Sequence, residues 1–111
     1  MVTGPMTDRL FDAKVFNNEL EADFQFRVME VFGYNGWLVY SIPDSRRASL
    51  AGWPDLTIIK GDVMFWAELK REKGRLSESQ KLLHPKLERI HPVHVWRPSD
   101  WNEIVQIARA K

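Results

Sequence analysis

The stretch Gly52-Trp53-Pro54-Asp55, Leu56-Thr57-Ile58-Ile59, Lys60-Gly61-Asp62 and Val63 to Lys70, closing on Glu68-Leu69-Lys70, decides how this chain is read. Two short runs of apolar and β-branched residues flank a Lys60-Gly61-Asp62 turn, the pattern of a β-hairpin. Asp55 opens the first run, and Glu68 and Lys70 close the second. Side chains alternate along a strand, so Glu68 and Lys70 share a face. A hairpin sets the start of its first strand beside the end of its second, so Asp55 can lie next to Glu68. Two carboxylates and an ammonium would then converge at one end of a small sheet. Such a group can hold a hard divalent cation through oxygen and keep a positive charge beside an attacking water.

Residues 63–67 are apolar on both faces, which implies a central strand covered on both sides. Glu68 and Lys70 emerge where that strand leaves the core. Charges there are costly unless paired or coordinated. Both a functional site and a plain strand-end salt bridge meet that condition.

Outward from the hairpin, residues 18–33 read as a helix. Asn18 can cap it with Glu21 three residues on. Leu20, Phe24, Val28 and Val31 recur at helical spacing, widened by Met29 and Phe32, and Gly33 or Gly36 stops the run. Glu21 taken alone is explained by capping and by the helix dipole. Trp37 to Ile42 reads as a strand ended by Pro43, and Asp44 to Trp53 as a loop. Ser45, Arg46, Arg47 and Ser49 in that loop suit phosphate contacts, and equally an ordinary exposed loop.

Beyond the hairpin, Arg71 to Leu76 is a basic loop, and Ser77 starts a helix through about Ile90 with Gln80 at capping-box spacing. Leu82, Leu83, Leu87 and Ile90 are expected to face the core, and Pro85 to kink or split the helix. His84, His91 and His94 share no recognised metal-ligand spacing. Val93 to Trp96 is a short strand, and Ser99 or Asp100 caps a last helix through Ala108. The strand–helix–strand crossover makes the last strand parallel to a neighbour. The expected fold class is α/β, a three-layer sandwich with a mixed central sheet of about four strands flanked by helices. Residues 1–17 read as an arm and 18–111 as one domain.

The 111 residues suffice for a core without staples, with five Trp and six Phe to fill it. The absence of Cys excludes disulfides, thiolate zinc sites and a thiol nucleophile. No run of about 18 apolar residues suggests a membrane span, and Met1 to Pro5 lacks a signal-peptide pattern, so a cytoplasmic location is expected. Net charge is only +1, but residues 70–89 hold seven bases against three acids. That asymmetry fits a polyanion-facing surface and also a solvated basic face.

Taken together, Gly52-Trp53-Pro54-Asp55, twelve residues, Glu68-Leu69-Lys70 and then Gln80 resemble the PD-(D/E)XK nuclease superfamily, and most closely its VRR-NUC branch. The likeness extends to Glu21-Ala22-Asp23-Phe24-Gln25, Asp44-Ser45-Arg46-Arg47, Glu72-Lys73-Gly74-Arg75-Leu76-Ser77 and Val95-Trp96-Arg97-Pro98-Ser99-Asp100. The resemblance implies a restriction-endonuclease-like fold. It implies that Glu21, Asp55 and Glu68 bind a metal, with the main-chain carbonyl of Leu69 as a further oxygen. It makes Lys70 the catalytic lysine and Gln80 an active-site helix residue.

By the same resemblance the chain is expected to be a magnesium- or manganese-dependent endonuclease of branched DNA, such as four-way junctions or flaps, acting as a homodimer. Relatives of this length occur in phages and bacteria. All-oxygen ligation suits those two metals better than zinc. Ser45, Arg46, Arg47, Lys73 and Arg75 are then expected on backbone phosphates. The alternatives are a restriction-like or DNA-end-processing nuclease and a non-catalytic DNA-binding module.

Overall fold

The computed structural model describes residues 21–42 and 50–111. The arm at 1–17, the Asn18 cap, and Ser45, Arg46 and Arg47 lie outside the described residues. The described elements run α1 (Glu21–Tyr34), β1 (Leu38–Ser41), β2 (Leu56–Lys60), β3 (Val63–Leu69), α2 (Glu78–Glu88), β4 (Val93–Trp96), a 3₁₀ turn at Pro98–Asp100, and α3 (Trp101–Arg109). This is the expected order of helix, three strands, helix, strand and helix.

The four strands form one sheet in the order β1-β2-β3-β4. β1 and β3 each pair antiparallel with β2, and β4 lies parallel to β3. The chain makes this parallel step by crossing over through α2. β3 is thereby an interior strand, and Phe65 to Leu69 are all buried. At the hairpin turn Gly61 takes a φ of +59°.

One face of the sheet carries the core. Phe24, Val28 and Phe32 of α1 and Ile104 and Ala108 of α3 pack on Leu56, Ile58, Phe65, Ala67, Leu69 and Trp96. Phe32 lies at the centre of the stripe, stacked on Trp96 at 5.8 Å and edge-on to Trp37 and Phe65. α1 ends as its glycines foretell. Gly36 turns to a φ of +88°, the Trp37 N–H donates to Phe32 O, and the Gly36 N–H donates to Gly33 O. The Trp37 indole then donates to the Ala108 carbonyl at 2.9 Å and ties α3 to the first strand.

α2 lies against the opposite face, and here two expectations fail. The helix runs unbroken through Pro85, which is exposed. The carbonyl that loses its donor there belongs to exposed Lys81, where water can serve it. The buried stripe is also turned round the helix: His84 and Leu87 point inward, while Leu82 and Ile90 are exposed. Leu82 lies about 200° from Gln80 around the helix, whereas His84 lies about 40° away. Asp100 is the N-cap residue of α3, as expected, but its side chain makes no capping hydrogen bond there. Asp100 instead accepts from the Arg97 N–H at 2.8 Å, closing the 3₁₀ turn, while Ser99 bonds to Glu72.

His94 sits on the core face, stacked on Trp96 and edge-on to Phe65. Burial lowers its pKa below the ordinary value, against the pull of Glu103 and Glu88. The unfolded imidazole protonates near pH 6.5, while the folded one resists the proton. The contribution to stability is therefore complete above the unfolded value and declines as pH falls below it. Urea titrations of wild type and His94→Phe between about pH 7 and pH 5 should show the variant losing less stability over that interval.

Candidate active site

The hairpin register builds the site. Leu56 pairs with Ala67, so continuing the ladder by one residue sets Asp55 opposite Glu68 on the face away from the core. The Leu69 N–H donates to Asp55 Oδ2 at 2.8 Å, which fixes the aspartate against the end of β3. Asp55 also keeps its main chain in the sheet margin, where its carbonyl accepts from the Ile42 N–H at 3.3 Å.

Glu68 is the most enclosed charged group described, with 3% of its side chain exposed. Lys70 Nζ stands 3.7 Å from Glu68 Oε2, and the Lys70 side chain is 15% exposed. The Gln80 amide donates to the same Oε2 at 2.9 Å. Gln80 is held for this by the capping box. Its Oε1 accepts from the Ser77 N–H at 2.8 Å, while Ser77 Oγ accepts from the Gln80 N–H. With the carbonyl end engaged by the cap, only the NH₂ end is left to meet Glu68. The one side chain thus both closes the cap and meets Glu68.

His84 is the site neighbour that spacing arguments about metal ligands pass over. It is buried one helical turn after Gln80, with Nε2 3.7 Å from Glu68 Oε1. Burial lowers its pKa, and Lys70 acts in the same direction, so the ring is neutral at neutral pH. The main chain of Gly52 approaches the ring and favours the protonated form without completing a hydrogen bond to either nitrogen. The signal in the sequence was the four-residue step from Gln80 to His84, which puts both on one helix face.

Gly52 makes the approach of the Asp55 loop to α2 possible. Its φ is +92°, and a Cβ built on it would lie 2.6 Å from the Ser79 carbonyl oxygen. Two residues on, Pro54 is fully buried, and Trp53 packs edge-on against Trp66 at 5.9 Å. The start of β2 is thus pinned from both sides.

The basic loop after Lys70 is clasped to the far end of the fold. Glu72 accepts from both the Ser99 N–H and the Ser99 hydroxyl, and Arg97 Nη2 donates to the Gly74 carbonyl at 2.7 Å. Lys73 and Arg75 stay exposed on this braced loop. Glu72 and Arg97 touch neither carboxylate of the pair. Their role is to hold the loop in place beside the carboxylates.

Among the described residues, no three His, Asp or Glu side chains are grouped to hold a metal ion on their own. Asp55 and Glu68 form an oxygen-only pair with a hydrogen-bonded surrounding, and that donor chemistry fits a hard divalent cation. Glu21 is the first residue of α1, and its side chain lies outside the described residues. No helix among the described residues is long and apolar enough to cross a membrane.

No protein-family model matches the chain, and no curated protein matches its sequence. A solved structure described as a VRR_NUC domain aligns with it at a TM-score of 0.62 and 23% identity, over 78% of this chain and 94% of that one. The chain therefore has the VRR-NUC fold, the restriction-endonuclease-like arrangement that the motif resemblance implied.

Replacing Gly52 by Ala should lower stability by about 1–3 kcal/mol more than replacing Gly61 in urea titrations. Both glycines hold a positive φ, but a Cβ on Gly61 meets nothing within 4 Å. The difference between the two variants therefore reports the contact with Ser79.

Proposed function

We propose, taking the VRR-NUC fold as the premise, that this chain is a metal-dependent DNA endonuclease selective for branched structures. The observation that carries the reading is the convergence of Asp55, Glu68 and Lys70 at one end of the sheet, beside a braced basic loop.

In this reading Asp55 and Glu68 hold a magnesium or manganese ion, with Glu21 and the Leu69 carbonyl completing an oxygen set. When bound, that ion supplies charge to offset the phosphoryl oxygens and lowers the pKa of water. Lys70 places a positive charge beside the reacting phosphodiester, positions the attacking water by donating to it, and through that charge eases loss of the water's proton. Its ammonium is close to Glu68 already, which keeps the long side chain from wandering. Gln80 orients the Glu68 carboxylate. Lys73 and Arg75, with Ser45, Arg46 and Arg47, hold backbone phosphates, which gives affinity without reading base sequence. Selectivity then rests on the shape of the DNA. A two-fold dimer would set two such sites on two strands of a four-way junction.

Lys70→Ala and Asp55→Ala should each reduce cleavage by at least about a hundredfold while the protein stays folded. The measurement is cleavage of an immobile four-way junction, a flap and matched linear duplex in magnesium, manganese and EDTA. Paired, metal-dependent cuts on the junction are the expected result. Preference for linear duplex would replace the junction reading by a restriction-like or end-processing one. Binding without cutting in either metal would leave a DNA-binding module.

A further inference from the structure

Glu68 meets α2 through two side chains, one turn apart. Gln80 donates to Oε2, and the His84 ring faces Oε1 from 3.7 Å. The imidazole is enclosed, with 9% of its side chain exposed, and neither nitrogen has a hydrogen-bond partner among the described residues. An imidazole wholly occupied in packing would not turn its polar edge to a carboxylate. At 3.7 Å the ring nitrogen stands just beyond hydrogen-bond distance of Oε1, and a small rotation of either side chain would bring it into donating range. Leu87, the next buried residue of α2, fills the apolar part of the same face. A Leu or Met at 84 would serve packing equally well, so the histidine calls for a polar explanation.

We propose that His84 is a positioning residue for Glu68, steadying the second carboxylate oxygen while Gln80 steadies the first. Rotation about the last bond of a glutamate side chain is broad and has little intrinsic preference. A donor on each side of the group defines the plane of the carboxylate, and so the direction in which its remaining lone pairs point. A ligand's hydrogen-bonding partners affect metal affinity in just this way. His84 itself touches neither substrate nor water in this account. The inference rests on the nuclease reading above, and it assigns to α2 a two-point clamp on one of the proposed metal-binding carboxylates.

The test compares wild type, His84→Leu, His84→Gln and His84→Asn in the full chain. Manganese affinity is read by calorimetry in the absence of DNA, and kcat and KM are read separately on the junction. Thermal melts confirm folding. His84→Leu should weaken manganese binding by about 10–100-fold and lower kcat, with KM for DNA unchanged. Gln places an amide nitrogen about where Nε2 stands, and should restore most of the affinity. Asn keeps a donor but falls short of Glu68, and should not. The Gln and Asn pair decides the matter even if His84→Leu does not fold. Wild-type manganese affinity in folded His84→Leu, or equal affinity in the Gln and Asn variants, would overturn the proposal and leave the nuclease reading standing. A wild-type protein that neither binds manganese nor cuts DNA would overturn both.

Discussion

The burial of one carboxylate, Glu68, is the constraint around which the rest is arranged. It lies on an interior strand whose last five residues are all buried, so water cannot carry its charge. Removing an ion from water costs several kcal/mol unless opposite charge and hydrogen bonds offset it. The surroundings answer that demand. Lys70 follows just past the end of that strand with its ammonium near the carboxylate, and α2 brings Gln80 and His84. Helix α2 therefore does more than cover the sheet. Its first turn is anchored to the carboxylate, and its rotation about its own axis follows from that anchor.

The two faces of the sheet divide the work. On one, Phe32, Trp37, Phe65 and Trp96 interlock at ring separations of 5.5–5.9 Å, and the helices α1 and α3 close over them. On the other, apolar contacts such as Trp53 on Trp66 give way to charge as the strands end. Functional groups at the ends of rigid strands keep their spacing because the backbone cannot yield there. The loop with Lys73 and Arg75 would be the weak part of such a design. The Glu72–Ser99 and Arg97–Gly74 bonds hold it to the turn before α3. These bonds join two segments that the motif resemblance takes in, 72–77 and 95–100. They are distant in the chain and meet in space.

Proximity also limits what each group can do. Lys70 and Gln80 approach the same oxygen of Glu68, while the neutral His84 faces the other. The described contacts thus put a positive charge and an amide donor on one oxygen and a neutral ring near the other. Gly52 allows this crowding, since any side chain there would push the Asp55 loop off α2.

Local patterns determined a great deal of this protein. Alternation in Leu56–Lys60 and Val63–Leu69, with a turn between them, sets the hairpin, and its register brings Asp55 to Glu68. The Ser77–Gln80 spacing marks the start of α2, and Gly36 the end of α1. Each of these depends on neighbours in the chain or on a single strand pairing. The face of α2 that turns inward was a different matter. Leu82, Leu83, Leu87 and Ile90 make a plausible apolar stripe, yet of these only Leu87 is fully buried, and the helix turns Gln80 and His84 inward beside it. A buried charge on another element outweighs one or two exposed leucines, because an unsatisfied carboxylate costs more than a leucine left in water gains on burial. Pro85 could be tolerated for the same reason, since the helix turns it to solvent. Tertiary structure alone decided the rotation of α2, the place of His84 beside Glu68, and the clasp on the basic loop. All three follow from contacts between residues that the sequence holds far apart or places on separate elements.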